Sequence, residues 1–407
     1  MVDIFNRVNS RGTKLSKGDL ALAKICAEWP EGRKVMRERL DHWRKAGFEF
    51  TLDWLLRTAH TAITGNALFT DSREVDTATF KNGLAKVCDA VDTLLNLVAG
   101  RLGLDHDRVL AGAYAFPVMA RLVVQHGGRL ANARDQDRLL YWYVHTFLWG
   151  RYSAQTDTTI GRDLKALEQG IDGLIRELER SRGTLRVRAE DFDTWSVGAR
   201  IYPLLYLLTR TRGTRDWGTG DPLSAHLLGR RSRLELHHIF PKALLYEREY
   251  SRPEVNAVAN FCFLTQGTNL DIGRRAPEEY LPEVIAAQPG ALESQWIPMN
   301  PDLWGVERYR EFLAVRRALL ADAANAFLDD LLHGRSEVSR TASVDVLALP
   351  PRRRRTLTRT PSCARWPTGS SGSASPSPKS LERSSMRTAA RSKPGRTRSG
   401  GTDCRRA

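Results

Sequence analysis

Two adjacent histidines, His237 and His238, close a short β-like run at Leu234–Leu236, and Pro241 follows them. Neighbouring side chains on a strand point to opposite faces. Where a strand breaks into a loop, however, one of two neighbours can hold a cation while the other faces a substrate. Hydrolysis of a phosphodiester needs this pair of functions, because a base must deprotonate water and a cation must neutralise the developing charge.

Two asparagines further along the chain extend the pattern. A second apolar run, 261–264, lies between Asn260 and Asn269, so the segment predicts a strand, a loop, a second strand and a helix. Asn269, just after a predicted N-cap at Thr268, is expected to give its amide oxygen to the same cation as His237. Asn260 is expected to join the two strands by hydrogen bonds.

Charged residues surround these positions. Glu235, one strand period before His237, is expected to orient a ligand or a water on the cation. Lys242, Arg274 and Arg275 are expected to contact phosphates that flank the site. Taken alone, each of these cations is equally well explained as part of a solvated basic turn.

Six residues resemble, position by position, the core pattern of the HNH (ββα-metal) nucleases: His237, His238, Ile239, Pro241, Asn260 and Asn269. The resemblance implies that His238 is the general base and that His237 and Asn269 bind a divalent metal. His stands here where Asp is more common in the family. Mg²⁺ is still the expected ion, and Mn²⁺, Ni²⁺ or Zn²⁺ are the alternatives. Taken singly, the same residues would be surface, turn or cap residues.

The composition is that of a folded protein with more than one domain. The chain has 407 residues, of which 42% are hydrophobic, and this is enough to form real cores. No apolar run approaches the roughly 20 residues that cross a bilayer, and residues 1–3 lack the pattern of a signal peptide. We therefore expect no membrane partner and a cytoplasmic location. The five cysteines are scattered without a C-x-x-C pair, which indicates reduced thiols.

The net charge of +15 is concentrated near the carboxyl terminus. Residues 346–407 contain fifteen Lys and Arg against Glu382 and Asp403, which leaves +2 for the rest of the chain. DNA binding by the folded part would therefore depend on a local basic patch. The composition after about Ser336 cannot bury enough apolar surface to fold. It predicts either a disordered basic tail that binds DNA or out-of-frame translation.

The segment from Asp3 to Ser16 resembles the end of the ParB/sulfiredoxin-like domain that opens GmrSD-type modification-dependent restriction enzymes. The nucleotide-handling motifs of that family, a Gln-Arg followed by Trp and an Asp-Gly-Gln-Gln-Arg run, do not occur here. The resemblance therefore implies a truncated or mis-started first domain. The alternative is an ordinary strand followed by a capped helix that ends at about Ala27.

Residues 30–215 have helical periodicity. Apolar residues recur every three or four positions from Phe80 to Val98, which predicts an amphipathic helix capped by Thr77 or Thr79. The aromatic run 139–149 predicts a buried helix, with His145 as a core residue. A long helix is predicted at 304–333, packed on the nuclease-like unit, and its outer face would carry a basic ridge of Arg308, Arg310, Arg316 and Arg317.

The sequence thus predicts a mainly α protein with a small α+β unit. Its expected parts are a ParB/sulfiredoxin-like remnant (1–28), a helical connector (29–215), an HNH nuclease domain with a C-terminal packing helix (216–335) and a basic tail (336–407). By resemblance, the expected function is hydrolysis of double-stranded, often modified DNA in defence against phage. A second copy or a separate ParB/sulfiredoxin-like subunit is an expected partner. A catalytically silent DNA-binding or regulatory subunit and a pseudogene fragment remain as alternatives.

Overall fold

A computed structural model describes four stretches of the chain, residues 17–67, 76–130, 132–224 and 234–335. The predicted ParB/sulfiredoxin-like segment at 3–16 and the basic tail lie outside these described residues. The predictions made for those two segments therefore remain predictions.

The described chain is mainly helical with one small sheet, as the sequence predicts. The helices before the sheet are α1 (Lys17–Glu28), α2 (Gly32–Ala46), α3 (Leu52–Thr64), α4 (Thr77–Leu102), α5 (Phe116–Gln125), α6 (Ala133–Leu148), α7 (Thr156–Leu167), α8 (Gly170–Arg182) and α9 (Tyr202–Thr211). The later elements are β1 (Leu234–His238), α10 (Lys242–Glu247), α11 (Arg252–Val255), β2 (Phe261–Thr265), α12 (Gln266–Ile272), α13 (Pro277–Ala287), α14 (Ala291–Ser294) and α15 (Tyr309–His333). Within the stretches described, no helix is both long enough and apolar enough to span a membrane.

Helix α4 forms where the apolar spacing predicts it. The residues that recur at this spacing are buried, because a spacing of three and four places them on one side of the helix: Phe80, Leu84, Val87, Val91, Leu94, Leu95 and Val98. The cap is Asp76, whose carboxylate accepts a hydrogen bond from the backbone N–H of Thr79 at 2.9 Å. The expected cap at Thr77 or Thr79 is wrong by a few residues, since the carboxylate satisfies the free N–H groups of the first turn.

Helix α6 is buried on almost every side, as its aromatic sequence predicts. Trp142, Tyr143 and His145 are fully buried. The indole N–H of Trp149 donates to Nδ1 of His145 at 3.0 Å, and burial lowers the pKa of His145 to about 3. His145 is therefore a neutral core residue, because a charged imidazole would be desolvated there.

The small sheet consists of β1 and β2, which pair antiparallel so that Leu234 faces Thr265 and His238 faces Phe261. Helix α9 covers one side of it, where the Tyr206 and Phe263 rings meet edge to face at 5.1 Å. Helix α12 follows β2 directly and contacts both strands. The predicted order of strand, loop, strand and helix is therefore present, and helices α9 and α12 contact its strands.

Helix α15 packs against both parts of the chain. It contacts α6 in the helical part, and at its amino end the Tyr309 and Phe312 rings each lie 4.9 Å from the ring of Phe240, just after β1. The helix predicted at 304–333 packs on the strand unit, as expected. It also joins that unit to the helical part of the chain.

Arg316 of α15 is fully buried, so its predicted place on an outer basic ridge is wrong. Its guanidinium donates to the carbonyls of Ala259 at 2.6 Å, Phe261 at 2.7 Å and Gln295 at 3.3 Å. Burial lowers the pKa of Arg316 to about 10. This buried cation fixes the start of β2, because it donates to three backbone oxygens that converge on it.

The other three arginines of the predicted ridge are held in ion pairs. Arg308 pairs with Glu311, Arg310 with Glu254, and Arg317 with Asp193. Each positive charge therefore has a carboxylate beside it. The ridge is not a free basic surface for nucleic acid.

Candidate functional site

A cleft of about 420 Å³ lies between the end of β1, the start of α10 and one side of α12. Five of the residues predicted from the sequence line it: His237, His238, Lys242, Asn269 and Arg274. These residues span 38 positions of sequence, from 237 to 274, and the fold brings them into one depression.

His237 and Asn269 meet inside the cleft. Nδ1 of His237 lies 2.8 Å from Oδ1 of Asn269. Asn269 is held by the first turn of α12, whose N-cap is Thr265, with its hydroxyl 3.5 Å from the backbone nitrogen of Thr268. The expected cap at Thr268 is wrong, because the helix begins at Gln266 as soon as β2 ends.

The imidazole of His237 is almost completely buried between two aromatic rings. Trp217 lies edge to face with it at 5.8 Å, and Tyr280 does so at 6.1 Å. Burial lowers the pKa of His237 to about 4, and the hydrogen bond to Asn269 partly opposes this. The ring is therefore neutral near pH 7, which is the form that binds metal ions.

The pair has the spacing of two neighbouring ligands on one octahedral ion. Bonds of 2.0–2.1 Å at right angles would place two such atoms about 2.9 Å apart. The described residues contain no group of three or more His, Cys, Asp and Glu that could hold a metal. The site would therefore supply one imidazole nitrogen and one amide oxygen. An ion bound there would take its remaining ligands from water and substrate phosphate, as Mg²⁺ commonly does.

The tautomer of His237 decides how the pair can be used. In the metal-free pair, Nδ1–H donates to the amide oxygen of Asn269. Cation binding by Nδ1 would move that proton to Nε2, which is buried and has no hydrogen-bond partner among the described residues. The residues present thus fit a divalent cation, at the cost of one proton shift.

His238 is half-buried on the other side of the break in β1. The pKa of His238 is lowered to about 4, mainly by burial and also by the charge of Lys242, while a hydrogen bond to the side chain of Asn256 opposes the shift. The Asn256 amide nitrogen donates to the carbonyl of Arg252 at 2.9 Å, which leaves its oxygen to accept from the imidazole. Nε2 of His238 is buried and has no partner within the described part of the chain, so a water molecule must enter the cleft to reach it. A neutral imidazole with a free nitrogen can accept a proton from water.

Lys242 and Arg274 supply positive charge at the two sides of the cleft. Both side chains are exposed, and neither makes an ion pair with any described residue. Arg275, by contrast, pairs with Glu283 and does not line the cleft. Of the three cations predicted to contact phosphate, Lys242 and Arg274 are therefore the two that face the site.

Asn260 is fully buried below the cleft rather than in it. Its amide oxygen accepts from the backbone N–H of Phe240 at 2.9 Å, and its amide nitrogen donates to the carbonyl of Phe240 at 3.1 Å. The backbone oxygen of Asn260 also accepts from the N–H of Ile239 at 2.9 Å. These bonds hold the turn after His238 against the start of β2. Glu235 lies on β1 opposite Leu264 and does not line the cleft.

Comparison with known proteins adds one distant relative. No protein-family profile matches the chain. Over 158 residues, the chain is 25% identical to the uncharacterized protein MJ0686 of Methanocaldococcus jannaschii. The aligned part covers 38% of this chain and 26% of that protein, so the chain spans about a quarter of the length of this curated relative. The likeness to HNH nucleases and to GmrSD-type enzymes thus stays a prediction from the sequence.

Three residues that contact the site were missed at the sequence level. Asn256 touches His238, Trp217 packs on His237, and Asp216 binds the first turn of α12. Asp216 and Trp217 lie where the sequence predicts only the boundary between the helical connector and the nuclease domain. A tryptophan beside an aspartate, followed by Gly218 and Gly220, is the local signal in the sequence that could have singled them out.

Proposed function

We propose that the protein is a metal-dependent endonuclease that hydrolyses phosphodiester bonds of duplex DNA. The observation that carries the proposal is the pairing of His237 Nδ1 with Asn269 Oδ1 at 2.8 Å, in one cleft with His238. A two-ligand metal site beside a neutral imidazole with a free nitrogen provides the two functions that this hydrolysis requires.

His237 and Asn269 would hold the ion, and a divalent ion there would stabilise negative charge on the reacting phosphate and the leaving oxygen. Nε2 of His238 accepts the proton of the attacking water. Asn256 keeps that imidazole oriented by accepting from its other nitrogen. Lys242 and Arg274 bind phosphates on either side of the reacting bond, which holds the strand in the cleft. The expected products carry a 5′-phosphate and a 3′-hydroxyl.

The proposed substrate is a polyanion, since the unpaired charges at the cleft are both positive. Duplex DNA, modified or unmodified, is proposed on the resemblance to modification-dependent restriction enzymes, together with a role in defence against phage. The ion is proposed to be Mg²⁺, with Mn²⁺, Ni²⁺ or Zn²⁺ as alternatives suited to an imidazole ligand.

The test is cleavage of supercoiled plasmid by the purified full chain, with each of the four ions in turn. The plasmid is prepared both from hosts that modify their DNA and from hosts that do not. We expect nicked or linear product with at least one ion, and we expect chelation to prevent it. His238→Ala should lower the rate at least about 100-fold. His333→Ala, which changes an exposed histidine of α15, should cut at the wild-type rate.

Two results would count against the proposal. Cleavage by His238→Ala at the wild-type rate would remove the assigned base. A wild-type protein that binds DNA but cuts it with none of the ions would favour the alternative of a silent DNA-binding subunit.

A further inference from the structure

A loop before β1, residues 214–223, runs beneath the candidate metal pair and is fastened to the elements around it. We call it the anchor loop. The backbone N–H of Arg215 donates to the hydroxyl of Ser294 at 3.0 Å, and the carbonyl of Arg215 accepts from the amide of Gln295 at 3.0 Å. The same Gln295 amide donates to the carbonyl of Phe263 in β2 at 3.1 Å. The loop is thus joined to the sheet through Ser294, the last residue of α14, and Gln295, which follows it.

Asp216 is the most highly bonded residue of the anchor loop, and it is fully buried. Its Oδ1 atom accepts from the backbone N–H of Thr265 at 2.8 Å. Its Oδ2 atom accepts from the hydroxyl of Thr268 and from the backbone N–H groups of Gly218 at 3.1 Å and Thr219 at 3.0 Å. These hydrogen bonds hold the pKa of Asp216 below its usual value, although burial alone would raise it. The carboxylate is therefore charged and acts as an acceptor at both oxygens.

These bonds fix the position of Asn269. Thr265 is the N-cap of α12, and Thr268 directly precedes Asn269 on its first turn. Helix α12 has seven residues, so the attachment of its first turn to β2 determines where its side chains point. Asp216 holds the strand end and the first turn with one carboxylate.

The next residue of the same loop fixes His237. Trp217 is 1% exposed, and its ring lies 5.8 Å from the imidazole of His237 and 6.1 Å from the ring of Tyr280. Its indole nitrogen has no hydrogen-bond partner among the described residues, so it acts on the imidazole by packing. Two adjacent residues of one loop thus hold the two groups of the candidate metal pair.

We infer that Asp216 and Trp217 are positioning residues that set the separation between His237 Nδ1 and Asn269 Oδ1, and thereby the affinity of the site for a divalent cation. This inference rests on the proposed function. Asparagine would be a poor substitute at 216, since its NH₂ group would face the backbone N–H groups now bound by one of the carboxylate oxygens.

The test is the affinity for Mn²⁺ alone, measured by calorimetry on the full chain without DNA. Asp216→Asn is expected to bind Mn²⁺ at least about tenfold more weakly than the wild type. The matched control is Asp221→Asn, which removes the same charge from an exposed position of the same loop and should bind Mn²⁺ as the wild type does. DNA binding in the presence of chelator should be the same for all three proteins, because the cleft cations are not altered.

A folded Asp216→Asn variant with wild-type Mn²⁺ affinity would overturn the inference, and the proposed function would still stand if the wild type cuts DNA. A wild type that neither binds Mn²⁺ nor cuts with any ion would overturn both. Gly218→Ala provides a second route should Asp216→Asn not fold. A Cβ at Gly218 would lie 2.5 Å from the Thr268 hydroxyl, so this variant should displace α12 and weaken Mn²⁺ binding, and unchanged binding would refute the inference.

Discussion

Nδ1 of His237 lies 2.8 Å from Oδ1 of Asn269, although 32 positions of sequence separate the two residues. Neither group carries a formal charge at neutral pH. A cation between them would lose part of its hydration shell without the attraction of an anionic ligand. The choice of ion by this site is therefore expected to depend on the softness of an imidazole rather than on charge neutralisation.

Replacing His237 by Asp should shift the metal preference. A carboxylate suits Mg²⁺ better than an imidazole does. We expect His237→Asp to raise the affinity for Mg²⁺ relative to Ni²⁺ by about tenfold or more, measured by calorimetric titration with each ion. His333→Asp adds the same group on the exposed surface of α15 and should leave the ratio unchanged. An unaltered Mg²⁺ to Ni²⁺ ratio in His237→Asp would mean that His237 is not a ligand.

The cations of the cleft should determine the salt dependence of DNA binding. Lys242→Ala and Arg274→Ala are each expected to weaken binding of a short duplex and to reduce the slope of log affinity against log salt by about one. Arg275→Ala is the matched control, because that guanidinium is paired with Glu283 outside the cleft. The affinity of each of the three variants for the duplex is measured by fluorescence anisotropy across a salt series. Equal losses in Arg275→Ala and Arg274→Ala would show that the cleft does not bind the duplex.

Arg316→Met should destabilise the fold without touching the cleft. It removes the guanidinium that donates to the carbonyls of Ala259, Phe261 and Gln295, and each buried acceptor left without a donor costs about 1–3 kcal/mol. We expect the free energy of unfolding to fall by about 3 kcal/mol or more in urea titrations. Arg308→Met removes a partly exposed arginine of the neighbouring turn and should unfold as the wild type does. A fully stable Arg316→Met would indicate that the buried guanidinium contributes little.

The stability of the fold should decline in acid partly through His145. Burial lowers the pKa of His145 to about 3 from an ordinary 6.5. Between these pH values the unfolded chain binds more protons than the folded chain, so stability falls as pH decreases through this window. His145→Gln should reduce this slope, measured as the difference from the wild type in urea titrations at pH 7 and pH 5. Asp137, whose pKa burial raises to about 6, contributes a slope of opposite sign in both proteins and cancels in the difference. Identical slopes would refute the assignment.

The local sequence was sufficient to predict several elements. The three- and four-residue spacing from Phe80 to Val98 predicts α4, and the aromatic run predicts that α6 is buried. The strand, loop, strand and helix around His237 and Asn269 followed from apolar runs separated by breaks. Each of these elements, taken singly, is signalled by neighbouring residues, which is the range over which periodicity and capping act.

The contacts missed at the sequence level come from residues far apart in the chain. Asp216 binds Thr268 across 52 positions, and Arg316 binds Ala259 across 57. Local periodicity cannot predict such pairs, because they depend on how whole elements pack. Arg316 was assigned to an outer face on the assumption that one side of α15 is open. That helix is in fact covered on several sides, by α6, α9 and the turn before β2.

Helix α15 also limits how the strand unit could be reused in protein engineering. The guanidinium of Arg316 supports the first residues of β2, while the later turns of α15 lie against α6. A graft of residues 234–287 into another scaffold would leave that support behind, and a graft extended to 335 would expose the side of α15 that α6 now covers. The strand unit therefore cannot be moved unchanged into another scaffold, and such a graft would require redesign of the α15 surface.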